Sequence, residues 1–219
     1  MKKNLLITTG GSGGHVIPAT IFHKHLSDTS NTIISTDKRG LKYLDNIDSE
    51  ILIINTPRLN NIFFLPFSLI TIIFLTVKSF FLLKKKKINK IISTGGYMSL
   101  PIIFAAKLLK LKIYLFEPNL VLGRANKIFL NSSEKIFCYT KQLKKFPEKY
   151  KDKKVIIFPL VRNEFYKTKI RKINNDKFCL LIVGGSQGAS VFDKNLKKTV
   201  LNISKKFSIK VIQQTNLNN

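Results

Sequence analysis

The stretch Leu5-Leu6-Ile7-Thr8-Thr9-Gly10-Gly11-Ser12-Gly13-Gly14-His15-Val16-Ile17-Pro18 decides the fold. A short apolar run ends in a glycine-rich loop, and the loop opens a helix-length segment whose first turn holds Pro18. That is the junction between a strand of a parallel sheet and its crossover helix. Glycines there let backbone N–H groups come close to a ligand, and the helix N-terminus adds partial positive charge suited to phosphate. No Gly-Lys-[Ser/Thr] follows, so the loop is not of the Walker type. Nor is it a regular dinucleotide fingerprint, because Gly11-x-Gly13 reaches Val16 where a glycine or alanine belongs.

Outward from this junction the theme repeats. Apolar runs at residues 32–36, 51–55, 90–93, 112–116, 135–139 and 155–158 alternate with helical segments at 16–27, 39–44, 65–83, 101–109, 123–130 and near Gln142. These elements predict one doubly wound α/β domain over residues 1–161. A polar, charged stretch at 162–176 reads as a linker. The theme then restarts over 177–219, with a strand at 178–183, the loop Gly184-Gly185-Ser186-Gln187-Gly188, a helix at 189–205 and a strand at 209–213. One βαβ unit cannot bury both faces of its sheet, so the chain reads as a fragment or truncated version of a two-domain protein.

The charge narrows the function classes. The 219 residues carry 38 Lys+Arg against 12 Asp+Glu, a net charge of +26, with 44% apolar residues and no Trp. Only Arg39, Arg58, Arg124, Arg162 and Arg171 are arginines, whereas base-edge and phosphate recognition favours the bidentate guanidinium. A nucleic-acid partner is therefore not expected; a solvated lysine surface or an anionic membrane is. Cys138 and Cys179 lie in apolar runs without a CxxC partner and read as buried free thiols. The apolar start halts at the glycine loop, so no secretion signal is read and a cytoplasmic protein is expected. Histidines and cysteines have no metal-ligand spacing, and no metal or cofactor is expected.

From Leu59 to Leu83 only Lys78 is charged, which is long enough to span a bilayer. Placed between the third and fourth strands of one sheet, a single span would separate strands that must pair. On a helical wheel Ser68, Thr71, Thr76, Lys78 and Ser79 share one arc and the rest is apolar. A crossover helix packed on the sheet accounts for part of that surface. The surplus, followed by Lys84 to Lys87 and Lys90, fits an interfacial element meeting lipid phosphates.

Two further glycine turns stand at strand ends, Thr94-Gly95-Gly96-Tyr97-Met98-Ser99 and Gly184 to Ala189. Three phosphate-suited loops on two domains point to two phosphorylated ligands held across an interdomain cleft. Glu117-Pro118-Asn119 also ends a strand, and Pro159-Leu160-Val161-Arg162 opens the linker. His15 is the histidine beside a glycine loop and is poised for proton transfer near neutral pH. His23 and His25 read as structural or solvent-facing.

The motifs Gly10 to His15, Gly95 to Pro101, Glu117 to Asn126, Pro159 to Arg162 and Gly184 to Ala189 resemble, in order and spacing, the MurG family of bacterial glycosyltransferases (glycosyltransferase family 28). The resemblance implies a GT-B fold, here one complete Rossmann-like domain plus the first βαβ unit of a second. It implies inverting transfer of GlcNAc from UDP-GlcNAc to the 4-hydroxyl of MurNAc in lipid I, giving lipid II for peptidoglycan. Carried over by motif, His15 is the base or acceptor-orienting group. Ser12, Gly13, Gly14, Asn119, Arg162 and Ser186 contact UDP-GlcNAc, and Gly95, Gly96 and Tyr97 lie near the acceptor pyrophosphate. The family also implies peripheral association with the inner face of the cell membrane.

Departures from the family pattern are Ser12 for a frequent Thr, Pro118 for Gln, and Gln213-Gln214-Thr215-Asn216 for His-Gln-[Ser/Thr]-Gly. The segment that in the family grips uracil, ribose and donor sugar lies outside the 219 residues, which puts turnover by this chain alone in question. Two other readings compete. One is a nicotinamide-dependent oxidoreductase, with Asp37 as the ribose-binding acid. The other is a non-catalytic basic protein that binds membrane surfaces.

Overall fold

Alternation within the first strand builds both halves of the core. Leu5 and Ile7 pack with Ile34, Ile92, Val16 and Ala19, whereas Leu6 packs with Ile33, Ile91, Leu115 and Ile136. A strand buried on both faces needs apolar residues at consecutive positions, which is why these strands read as unbroken runs. The computed structural model describes residues 2–44, 47–57, 63–162, 164–165, 178–184 and 190–214. The chain divides into two compact units, residues 1–163 and 164–219.

The first unit contains β1 (Lys3–Thr8), β2 (Ser30–Thr36), β3 (Glu50–Ile53), β4 (Ile88–Ser93), β5 (Lys112–Glu117), β6 (Lys135–Cys138) and β7 (Lys154–Ile156). They form one sheet in the order β3-β2-β1-β4-β5-β6-β7, and every pairing is parallel. The order reverses direction between β1 and β4. That switch point is where open α/β sheets leave a crevice beyond the carboxyl ends of their strands.

Among the described residues, four α-helices lie between these strands: α1 (Gly13–Leu26), α2 (Leu65–Lys85), α3 (Leu100–Leu108) and α4 (Arg124–Phe129). Val16 and Ala19 of α1 join the Leu5 cluster on one face; Ile72 and Leu83 of α2, with Ile102 and Ile103 of α3, join the Leu6 cluster on the other. The helical segment expected at 39–44 is only a 3-10 turn, Leu41–Tyr43. No helix forms near Gln142, where the backbone runs as bends and an isolated bridge, Val121 to Lys144; a 3-10 helix follows at Glu148–Lys153. Short polar segments of this kind cannot repay the cost of nucleating an α-helix.

Helix α2 inverts part of the expected pattern. Its buried residues are Ser68, Ile72, Ser79 and Leu83, so two members of the predicted polar arc face the protein. Small serines let the helix sit close to its neighbours. Phe67, Ile70, Ile73, Phe74, Val77 and Phe81 are exposed instead, each by half or more. The helix is long and apolar enough to cross a membrane, yet β3 before it and β4 after it belong to one sheet.

In the second unit β8 (Phe178–Ile182) and β9 (Ile209–Gln213) pair in parallel, joined through α5 (Ser190–Lys206). Residues 166–177, most of the expected linker, and the loop 185–189 lie outside the described residues. Cys138 is buried, as expected, and burial raises its thiol pKa. Cys179 is exposed, contrary to expectation, because it stands on this two-stranded sheet beside exposed Phe178 and Leu181.

Candidate active site

The loops after β1 and β4 meet at the switch point. Gly10 and Gly96 touch backbone to backbone: a Cβ on Gly96 would lie 3.0 Å from the Gly10 Cα, and Gly96 has φ +87°. Any side chain there would be strained twice, by contact and by conformation. This close approach brings the N-terminus of α1 against the Gly95-Gly96-Tyr97 turn.

His15, on the first turn of α1, bridges the two loops. Its Nδ1 donates to the Thr94 carbonyl at 2.7 Å. A carbonyl only accepts, so in the neutral ring Nδ1 carries the proton and Nε2 keeps its lone pair. The imidazole lines a cavity of ≈ 440 Å³ together with Gly95, Gly96, Tyr97, Asn119 and Asn126. A base with a fixed tautomer at a cavity wall can accept a proton from a hydroxyl held there.

Glu117 organises the opposite wall. It ends β5, is 2% exposed, and its carboxylate accepts four hydrogen bonds. The donors are the Asn119 backbone at 3.2 Å, the Asn119 amide at 2.8 Å, the Gly123 N–H at 2.7 Å and the Asn126 amide at 3.0 Å. One carboxylate thus fixes the Asn119 side chain, the start of α4 and Asn126. In the sequence, Glu117 and Asn126 stand only as the ends of the motif Glu117 to Asn126, with no role of their own. The signal that could have marked them is a carboxylate at a strand end followed within ten residues by two asparagines and a glycine.

Of the other site residues read from the sequence, Ser12 is the N-cap of α1 and its side chain makes no capping hydrogen bond. It and Gly14 are exposed, while Gly13 is buried. Fourteen residues of helix therefore direct their N-terminal partial charge past these three positions toward the crevice. Arg162 is exposed and does not line the cavity. Ser186 lies outside the described residues. His23 is buried and hydrogen-bonded to Thr32 across 2.6 Å, so it is structural, and His25 is exposed.

Asp37 does not serve as an open ribose acid. It is 3% exposed, and its carboxylate accepts from Arg39 Nε at 2.7 Å and from the Gly40 N–H at 3.0 Å. Both oxygens are engaged within the protein, which removes the feature that motivated the oxidoreductase reading.

Comparison with known proteins bears on the family and the fold. Residues 5–138 match the model of the glycosyltransferase family 28 N-terminal domain. The UDP-N-acetylglucosamine--N-acetylmuramyl-(pentapeptide) pyrophosphoryl-undecaprenol N-acetylglucosamine transferase of Pelagibacter ubique is 47% identical over 217 residues, 99% of this chain and 61% of its own. The enzyme of the same name from a Wolbachia of Drosophila simulans is 33% identical, over 96% of this chain and 59% of its own. The chain thus spans about three-fifths of the length of the curated relatives it matches. Among solved structures, Acinetobacter baumannii MurG superposes with a TM-score of 0.73 at 22% identity, covering 97% of this chain and 60% of its own. A UDP-GlcNAc 2-epimerase from Neisseria meningitidis, solved with UDP-GlcNAc, gives 0.66 at 16% identity, covering 98% and 66%. These two likenesses carry the fold alone.

Proposed function

The chain belongs to glycosyltransferase family 28, and from that premise we propose that the protein transfers GlcNAc from UDP-GlcNAc to the 4-hydroxyl of the lipid-linked MurNAc-pentapeptide, a step of peptidoglycan synthesis. The observation that carries the reading is the orientation of His15. With Nδ1 bonded to the Thr94 carbonyl, Nε2 is the atom that takes the proton of the acceptor hydroxyl. The hydroxyl oxygen attacks the anomeric carbon as the bond from that carbon to the UDP oxygen breaks, so the configuration inverts. Negative charge builds on the departing diphosphate. The N-terminus of α1, presented by Ser12, Gly13 and Gly14, offsets that charge.

In this reading Asn119 and Arg162 contact the donor, and Gly95, Gly96 and Tyr97 hold the acceptor pyrophosphate. Exposed Phe67, Ile70 and Phe74 on α2, with exposed Lys84, Lys85 and Lys87 at its end, support peripheral binding to the anionic inner face of the cell membrane. The lipid-linked acceptor is then met where it resides.

Saturation-transfer NMR on the protein with a short-chain lipid I analogue, UDP-GlcNAc and NAD in parallel tests the assignment. Signals from the lipid I analogue, with a shift of the His15 ring resonances, are expected. Binding of NAD in the absence of binding by either transferase substrate would overturn it.

A further inference from the structure

The two glycine loops offer backbone N–H groups and helix polarity to a diphosphate but no full positive charge. Lysines abound, yet an exposed lysine must give up side-chain freedom to hold a ligand. Arg39 differs from them. Its Nε donates to Asp37 at 2.7 Å and its Nη2 donates to the Tyr97 hydroxyl at 3.0 Å. The guanidinium carbon also lies 5.9 Å from the centre of the Tyr97 ring. Bonding to Asp37 holds the guanidinium firmly in its charged form.

Both anchors belong to the crevice. Asp37 is packed so tightly against the first loop that a Cβ on Gly11 would collide with its carboxylate. Tyr97 closes the second loop, and the same residue lines the cavity beside His15. Arg39 is thus tied to loops on both sides of the switch point, while 47% of its side chain remains open to solvent. A guanidinium has five N–H donors, and these two anchors take one each.

We propose that Arg39 binds the diphosphate of the lipid-linked acceptor, with Asp37 and Tyr97 as the positioning residues that aim it. The inference rests on the acceptor reading above and adds the charged contact which that reading lacks. A guanidinium held in place forms charge-assisted hydrogen bonds to phosphate with little further loss of freedom. Arg124 lines the cavity, but it is not anchored by the hydrogen bonds seen among the described residues; Arg39 does not itself line the cavity, and its bond to the lining residue Tyr97 makes it the oriented cation beside it.

Calorimetric titration of the full chain with geranyl diphosphate, geranyl monophosphate and UDP-GlcNAc at fixed salt tests this. Arg39→Ala is expected to weaken geranyl diphosphate about tenfold or more, Arg39→Lys to recover part of that loss, and Tyr97→Phe to fall between wild type and Arg39→Ala. Lys110→Ala, which removes an exposed lysine elsewhere, should leave affinity unchanged, as should Arg39→Ala for UDP-GlcNAc. If Arg39→Ala fails to fold, the Arg39 Nε–H resonance of the wild-type chain should shift as geranyl diphosphate is added, in proportion to occupancy. Diphosphate binding that ignores Arg39→Ala, or an Nε–H that does not move, overturns the inference alone. An equal loss for UDP-GlcNAc reassigns the contact to the donor and overturns it too. Absence of diphosphate binding by the wild type overturns the acceptor reading along with it.

Discussion

Single residues hold the site in shape more through hydrogen bonds than through packing. Glu117 is the clearest case, since one buried carboxylate accepts from two asparagines and two backbone N–H groups. Glu117→Gln keeps the volume but turns one acceptor oxygen into a donor facing N–H groups. We expect a loss of about 1–3 kcal/mol in urea unfolding, the cost of leaving buried polar groups unpaired. His23 predicts a pH effect. Burial lowers its pKa below 6.5, with Asp48 opposing and Lys24 assisting. The unfolded chain therefore takes up the proton first as pH falls. Stability should be full above pH 6.5 and decline as the pH drops through the lowered value. His23→Gln should flatten that acid limb in a series of melts, and an unchanged slope would assign it to other groups.

At the scale of elements, α2 separates what a sequence states from what it leaves open. Its length and apolar character were legible from residues 65–83, and so was its place between two strands of one sheet. Which face turns inward was not, because a buried serine and a solvent-facing serine look alike on a helical wheel. Packing against α3 and the sheet selects the narrow stripe Ser68, Ile72, Ser79 and Leu83 and leaves the bulky side chains outside. The expected consequence is partition to lipid. Replacing Phe67, Ile70 and Phe74 together by Ser should reduce sedimentation with phosphatidylglycerol vesicles by more than tenfold, since each large apolar side chain contributes roughly 1.5–3 kcal/mol when buried. The melting temperature should hold, because all three are exposed. Unchanged vesicle binding would assign the affinity to the lysines alone.

At the scale of the molecule, the doubly wound sheet was legible because strands covered on both faces leave runs such as Leu5-Leu6-Ile7. The glycine loops were legible because they follow those runs. The network around Glu117, and the one joining Asp37, Arg39 and Tyr97, were not. The first is local, within ten residues, but a turn of that composition is equally read as an ordinary loop and cap. In the second, Tyr97 is brought to Arg39 by strand order, as β2 and β4 flank β1, and no spacing along the chain records that. Asp37 shows the hazard: by position it resembled a ribose-binding acid, and its engagement by Arg39 and Gly40 emerged only in three dimensions. The most direct test of the central claim is transfer itself. The protein, incubated with labelled UDP-GlcNAc and a lipid I analogue in vesicles, should form a disaccharide joined by an inverted linkage to the MurNAc 4-hydroxyl. His15→Ala should lower that rate by about 10²–10⁴-fold with the fold intact. A retained linkage, or full activity in the His15 variant, would contradict the account.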